Sequence, residues 1–422
     1  MSTKEEITKK EVENGFLFLG IGSLLSWNTI LSQLDFFIFY QKDYNPEIVF
    51  PNINFLINLI IQFLLLSTKK IFSYKSMFYF SLLIYAFILF FFPYITIYFP
   101  SEISYKISCV FILLNGLANA VISNSMFGLV SFFPIENVIA VGAGQGISGI
   151  SMTLIRYVIL LTLDPQKSIN LSSYIFFGIS SIIILIVIRN IMHLYKNEYF
   201  LSVLKKIGEI KSDDVNDNLI DNRTEEELKD INEKENIEKN NNEESENKHG
   251  MLYLIIKIFD INLLVILCFV ITIGLFPSVC IRPNLFGMSI GWKINTIIFL
   301  FNLFDTFGRK LLACVKKPTK LLLYIVTLLR LSFFFTYPGL IYVEKYNIIN
   351  NPNIIGILSV LNVSLMALSS GFVLNLSLSL APEQVENSLK AKAGSCVSLC
   401  LSIGLFCGSF TANILDKIIK NL

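Results

Sequence analysis

Long apolar runs separated by short polar breaks recur from Gly15 to Ile414, and nothing else constrains this chain as strongly. Eleven can be marked, roughly at 15–37, 50–67, 77–99, 107–133, 137–162, 171–194, 251–276, 291–314, 319–341, 353–380 and 389–414. Each reaches the ~17–25 residues that a helix needs to cross about 30 Å of hydrocarbon. In that medium every backbone N–H and C=O must be satisfied within its own segment, which makes the α-helix the default. Charged residues make up 16% of the chain, against about 25% in soluble domains. The expectation is an all-α polytopic membrane protein with eleven transmembrane helices.

One segment departs from this pattern. Residues 209–246 hold 15 Asp and Glu against 5 Lys and Arg, are rich in Asn, and contain no aromatic residue, Pro or Cys. Such a composition cannot bury a core and reads as a disordered connector. It divides the spans into six and five. The expected organisation is a tail at 1–14, a six-helix bundle at 15–195, an acidic loop at 196–250, a five-helix bundle at 251–414 and a tail at 415–422.

Short loops set the orientation. Lys69, Lys70 and Lys75, then Arg309, Lys310, Lys316, Lys317 and Lys320, then Lys390 and Lys392, lie at three junctions that fall on one side of the bilayer when the spans alternate. Positive-inside makes that side cytosolic. The amino terminus and the acidic loop then lie in the cytosol and the carboxyl terminus outside, with the plasma membrane as the expected host. Lys417 and Lys420 run against this assignment. The first span is not expected to be a cleaved signal, because its upstream region is charge-balanced and its apolar run is longer than an h-region.

Several function classes find no support. There is no G-x-x-x-x-G-K-[ST] loop, so the chain carries no ATP motor of that type. No His, Cys and carboxylate cluster has metal-ligand spacing, and no intramembrane nucleophile–base pair is visible. Neither an enzyme, a metal, a cofactor nor a nucleic-acid partner is expected. The chain is read as a monomer in the lipid bilayer.

The polar residues inside the spans carry the functional signal. A charged side chain in hydrocarbon costs at least ~2.5–3.5 kcal/mol on insertion scales and marks a pathway or site by default. Asn302, Asp305 and Arg309 share one helical stripe, with Asn295 two turns away, and Asp305 can pair with Arg309 at i,i+4. Span one carries Trp27-Asn28, then Gln33 and Asp35. Trp27 suits either a stacking platform or a packed core, and Asn28 either a ligand contact or a bond to a neighbouring helix. Span four repeats Asn115, Asn119 and Ser123 on one face, as a wall for a neutral polar solute or as interhelical glue. Span five opens with Gly142-Ala-Gly144-Gln145-Gly146-Ile-Ser148-Gly149, small residues that let helices approach closely and do no chemistry. Arg156 in the same span is expected to snorkel. Arg330, near the centre of span nine, is expected to join a structural or gating ion network. Asp35, Asp260 and Asp305 are the carboxylates within spans, and Asp260 has Lys257 nearby.

In this order the pieces resemble the equilibrative nucleoside transporter family. The resemblance rests on Leu24-Leu-Ser-Trp27-Asn28, Ser125-Met-Phe-Gly-Leu129, Ala143-Gly-Gln-Gly-Ile-Ser-Gly149, Phe301-Asn-Leu-Phe-Asp-Thr-Phe-Gly-Arg309, Arg330-Leu331, Ser369-Ser-Gly371 and Ala393-Gly394. It covers nearly all of residues 15–414. It implies a major-facilitator-like fold with a nucleoside or nucleobase held between two bundles. It also implies that Trp27 lines the base pocket and that Arg309, set by Asp305, meets ribose hydroxyls. Three positions depart from the family pattern. Ser123 stands where many members carry a Gln that contacts the base, with Asn119 one turn away as a substitute. Ser26 replaces the Pro usual before Trp27, and Ser370 replaces an Asn. The bias toward Asn, Ile, Lys and Phe suggests an A+T-rich genome, as in protozoan parasites that scavenge purines. The combined expectation is a carrier of purine nucleosides, facilitative or proton-coupled. A carrier of another small polar solute and a non-transporting receptor stand as alternatives.

Overall fold

The computed structural model describes residues 2–67, 72–163, 168–209, 251–288, 290–349 and 351–421. Among them, helix is the only regular secondary structure. In chain order the helices are α1 (Ser2–Ser32), α2 (Leu34–Tyr40), α3 (Pro46–Ser67), α4 (Tyr74–Tyr98), α5 (Ser101–Val130), α6 (Ile135–Thr162) and α7 (Ile169–Leu194). They continue with α8 (Glu198–Lys206), α9 (Met251–Lys257), α10 (Phe259–Leu275), α11 (Ile290–Leu311), α12 (Lys320–Leu329), α13 (Phe333–Lys345), α14 (Pro352–Glu383) and α15 (Lys390–Asn421).

Helices occupy all eleven places that the apolar runs mark. Nine of the described segments are long and apolar enough to cross a membrane, with α12 and α13 counted together across the 3₁₀ turn at Arg330–Ser332. The other two differ for visible reasons. α10 is apolar but only 17 residues long, and α11 carries Lys293, Asp305, Arg309 and Lys310. Side-chain and proline signals set several boundaries. Ser73, Asn197, Thr319 and Asn351 each accept a hydrogen bond from a backbone N–H in the first helical turn. Pro134 precedes α6 directly, where its missing N–H costs nothing, and this separates α6 from α5.

Three expected boundaries shift. The helix α1 begins at Ser2 and runs straight through the expected tail. α15 likewise continues to Asn421, past the expected end at 414. The expected loop at 196–250 opens with the ordered helix α8, which buries Phe200 and Leu204 and starts at the Asn197 cap. Asn197 also donates to the Thr8 carbonyl at 3.1 Å and to Glu11 at 2.9 Å, tying α8 to α1. The rest of the acidic segment, from 210 to 250, lies outside the described residues.

α1–α7 pack on one another, as do α10–α15. The two sets meet along α6–α11, α5–α15, α3–α15 and α6–α14. Phe63, Leu83, Phe90, Leu161, Leu329 and Phe335 are among the large apolar side chains left on the outside, as a lipid-facing surface requires. Where helices cross most closely, glycines lie against backbone. A Cβ on Gly144 would stand 2.1 Å from the Leu17 carbonyl oxygen, and one on Gly20 would stand 2.2 Å from that of Val141. Gly308 and Gly371 make the same reciprocal contact between α11 and α14, at 1.9 Å from Leu368 O and 2.1 Å from Asp305 O. Gly146 lies against Thr306 and Gly149 against Asn302, bringing α6 onto α11.

A carbonyl in a packed helix cannot move aside as a flexible side chain can. Gly144→Ala is therefore expected to force α1 and α6 apart, at the upper end of the ~1–3 kcal/mol typical of overpacking. Thermal unfolding in detergent should fall by several degrees. Gly178→Ala, which adds its methyl where nothing lies within 4 Å, should leave it unchanged. Equal stability of the two variants would show that this crossing tolerates separation.

Candidate functional site

A cavity of about 550 Å³ lies between the two sets of helices. That is within the ~300–1,000 Å³ range usual for small-molecule sites. At its deep end stand Asp305 and Arg309 of α11, with Gln145 of α6. Arg309 Nε donates to Asp305 Oδ2 at 2.6 Å, and Arg309 Nη1 donates to Gln145 Oε1. Gln145 Nε2 in turn donates to Ser23 Oγ at 3.2 Å on α1. Both members of the ion pair are buried. Gly371 sits against the Asp305 carbonyl and the Arg309 backbone, and Asn375 donates to the Arg309 carbonyl at 3.2 Å. The pair is thus fixed by its own helix, by α14 and by the opposite bundle. Arg309 Nη2 and Asp305 Oδ1 take no partner among the described residues, which leaves guanidinium N–H donors and a carboxylate acceptor among the groups that line the cavity.

Trp27 forms a side wall with Phe55, their rings tilted and 5.6 Å apart. Asn119 and Ser123 also line the cavity, and Ser123 Oγ donates to Asn119 Oδ1 at 3.2 Å, which leaves the Asn119 amide nitrogen unused. Asn28 lines it too, but its amide donates to Ser148 at 3.1 Å, holding α1 to α6. Asn302 completes the α11 stripe, packed on Gly149.

Asp35, Arg156 and Asn295 lie at the other end, toward the exposed Ile38. Arg156 does not snorkel. It is buried, donates to Ser172 at 2.9 Å and is paired with Asp35, whose side chain is 57% exposed. The carboxylate of span one, not the membrane surface, satisfies this arginine. Tyr157 donates to Thr296 at 2.7 Å nearby, a second hydrogen bond between α6 and α11.

Two other expectations need correction. Arg330 is 1% exposed and joins no ion pair among the described residues. It donates to the carbonyls of Met366 at 2.7 Å and Cys268 at 3.4 Å, and to the hydroxyls of Ser369 and Thr272. Neutral acceptors on α10 and α14 replace the expected ion network. Asp260 pairs with Lys320 at 2.9 Å, because α12 brings that ammonium across to α10.

Gln145 stands within a packing motif and was not expected at the site, nor was the pair Asn58 and Gln62 on α3. Both of the latter line the cavity with Ser402 of α15. A signal was present in Asn54, Asn58 and Gln62, spaced by four on one helical face.

The architecture has the fold of solved major facilitator superfamily transporters. The proton:xylose symporter XylE of E. coli superposes with a TM-score of 0.66 at 15% identity, over 97% of this chain and 88% of that one. An auto-inhibited peptide transporter of the POT family gives 0.59 at 14% identity, over 98% and 90%. Within that fold the chain belongs to the nucleoside transporter family, whose model matches residues 108–416. Equilibrative nucleotide transporter 1 of Arabidopsis thaliana is 23% identical over 98% of this chain and 89% of its own length. Equilibrative nucleotide transporter 8 of the same plant is 27% identical over 42% of this chain and 47% of its own. The chain is therefore a membrane transporter and not an enzyme.

Proposed function

We propose that this protein carries nucleosides, purine nucleosides foremost, by alternating access of one cavity between its two bundles. The observation that carries the reading is the Asp305–Arg309 pair at the deep end, with a carboxylate acceptor at Oδ1 and guanidinium donors at Nη2 left over. Two adjacent ribose hydroxyls match that complement, one giving its proton to Asp305 Oδ1 and one accepting from Arg309 Nη2. Trp27 and Phe55 offer flat apolar surface to the base, and Asn119 and Ser123 offer groups for its edge.

Charge supports a nucleoside over a nucleotide. The cavity is lined by two arginines and two aspartates, and each arginine already has its aspartate. Among the described residues that line the cavity, no cationic group without a carboxylate partner is left to take up a phosphate, whereas a neutral solute needs none. A concentration gradient suffices to drive such a carrier. Gln145 and Arg309 join the two bundles at the closed end, so this bond must break when the cavity opens the other way. A hydrogen bond to a charged group is worth about 1.5–3 kcal/mol net, which ribose hydroxyls that take over from Gln145 would offset. With the amino terminus in the cytosol, as the loop charges suggest, the cavity faces outside, and the plasma membrane is the proposed host.

Radiolabelled inosine and adenosine uptake in cells lacking their own nucleoside carriers tests the proposal, with unlabelled nucleosides, nucleobases, nucleotides, a hexose and an amino acid as competitors. Saturable uptake blocked by nucleosides alone is expected. Surface-located protein without nucleoside uptake would reject the reading.

Ser123 is expected to tune the base. A longer amide in its place reaches farther into the cavity and disrupts the bond that orients Asn119. Ser123→Gln should change the affinity ratio among adenosine, inosine and uridine by about fivefold or more, the size of one well-placed hydrogen bond. An unchanged competition profile would place this face of α5 away from the substrate.

A further inference from the structure

We infer that Asn58 and Gln62 form a base-reading amide pair, and that they select bases presenting a hydrogen-bond donor beside an acceptor. This deepens the nucleoside reading above and rests on it. Asn58 and Gln62 stand one turn apart on α3, and both line the cavity. Gln62 Nε2 donates to Asn58 Oδ1 at 2.8 Å and to Ser402 Oγ at 2.8 Å, and Ser402 Oγ donates to Asn58 Oδ1 at 2.6 Å. These three bonds use the nitrogen of Gln62 and the oxygen of Asn58. Gln62 Oε1 is buried without a partner, and Asn58 Nδ2 enters no hydrogen bond among the described residues. One acceptor and one donor therefore remain, on residues one turn apart on α3. Turning both amides over exchanges which residue donates and leaves the same complement.

That complement matches the N1–C6 edge of a substituted purine. With inosine, an amide N–H meets O6 and the amide oxygen takes the N1 proton. With adenosine, the amide N–H meets N1 and the oxygen takes a proton of the 6-amino group. Phe55 lies three residues from Asn58 on the same helix, and with Trp27 it supplies the aromatic surface beside this edge. A buried oxygen with no protein partner makes a base that lacks the donor costly to accept, because that oxygen then goes unpaired. Purine riboside has N1 but no donor at C6, and 1-methylinosine has O6 but no N1 proton.

The test is competition for inosine binding or uptake by adenosine, purine riboside and 1-methylinosine. It is run on the wild-type chain and on Gln62→Met and Asn58→Leu, of similar volume. Purified protein in detergent, read by ligand-dependent thermal shift, serves any variant that fails to reach the surface. Wild type should take purine riboside and 1-methylinosine at least about tenfold more weakly than inosine and adenosine. Both variants should reduce that gap to about twofold. A gap that persists in the variants, or an equal loss for every competitor, would overturn the assignment and leave the trio as a strut between α3 and α15. A wild type that binds no nucleoside at all would sink the functional reading and this one together. Nucleoside binding with no dependence on Asn58 or Gln62 would sink this one alone.

Discussion

Asp305→Ala is expected to abolish uptake and to leave little protein at the surface. Asp305 is the ion-pair partner of Arg309, and both are buried. Removing the carboxylate strands a guanidinium among α6, α11 and α14, where Gln145 can satisfy only one of its nitrogens. Breaking a buried pair by removing one partner typically costs about 3–5 kcal/mol, a large part of a protein's total stability. Removing both charges avoids the stranded cation, so Asp305→Ala combined with Arg309→Met should recover folding but not uptake. Arg309→Lys separates positioning from charge. Its ammonium can still pair with Asp305, but a compact point charge cannot reach Asp305, Gln145 and a ribose hydroxyl in one plane. It should reach the surface and transport at least about tenfold more slowly. Surface counts by epitope labelling, with uptake normalised to them, check all three. Full uptake by Arg309→Lys would remove the guanidinium from the substrate and leave the pair as scaffold.

What the sequence made legible at this site was local. Asp305 and Arg309 are four residues apart on one helix, so helical periodicity alone brings them together. Asp35 and Arg156 are each visible as charges in apolar runs, but 121 residues separate them, and only the packing of α2, α6 and α7 makes them partners. Gln145 was hidden differently. Its glycine neighbours gave a correct packing signal, with Gly144 on Leu17 and Gly146 on Thr306. The same close approach that the glycines permit carries the Gln145 amide to Arg309, so packing and chemistry occupy alternate residues of one turn. Asn58 and Gln62 went unread because a polar stripe on an apolar helix does not say which neighbour it faces. The extra ordered turns beyond the apolar runs, at Ser2–Asn14 and in α8, follow helix propensity and capping, to which a hydropathy pattern is blind.

Arg330 should respond in the opposite order to a conservative scale, with Arg330→Lys the more damaging change and Arg330→Met the milder one. Its guanidinium spreads one charge over acceptors on two helices, Cys268 and Thr272 of α10 and Met366 and Ser369 of α14. A lysine ammonium has three donors on one atom and cannot reach both helices at once. It would stay buried, charged and underbonded, because the position is closed to solvent and has no carboxylate partner among the described residues. Methionine removes the charge altogether. The acceptors it leaves are already served, since Thr272 Oγ1 donates to the Cys268 carbonyl at 2.8 Å and Ser369 Oγ to the Leu365 carbonyl at 2.8 Å. Exchanging a buried charge for a well-packed apolar side chain is often neutral. Arg330→Lys is therefore expected to lose about 2–4 kcal/mol and most surface protein, while Arg330→Met loses less than half as much. Detergent melting curves of the two variants decide the matter. If lysine proves the better substitute, the positive charge itself, and not the geometry of the clamp, is what holds α10 to α14.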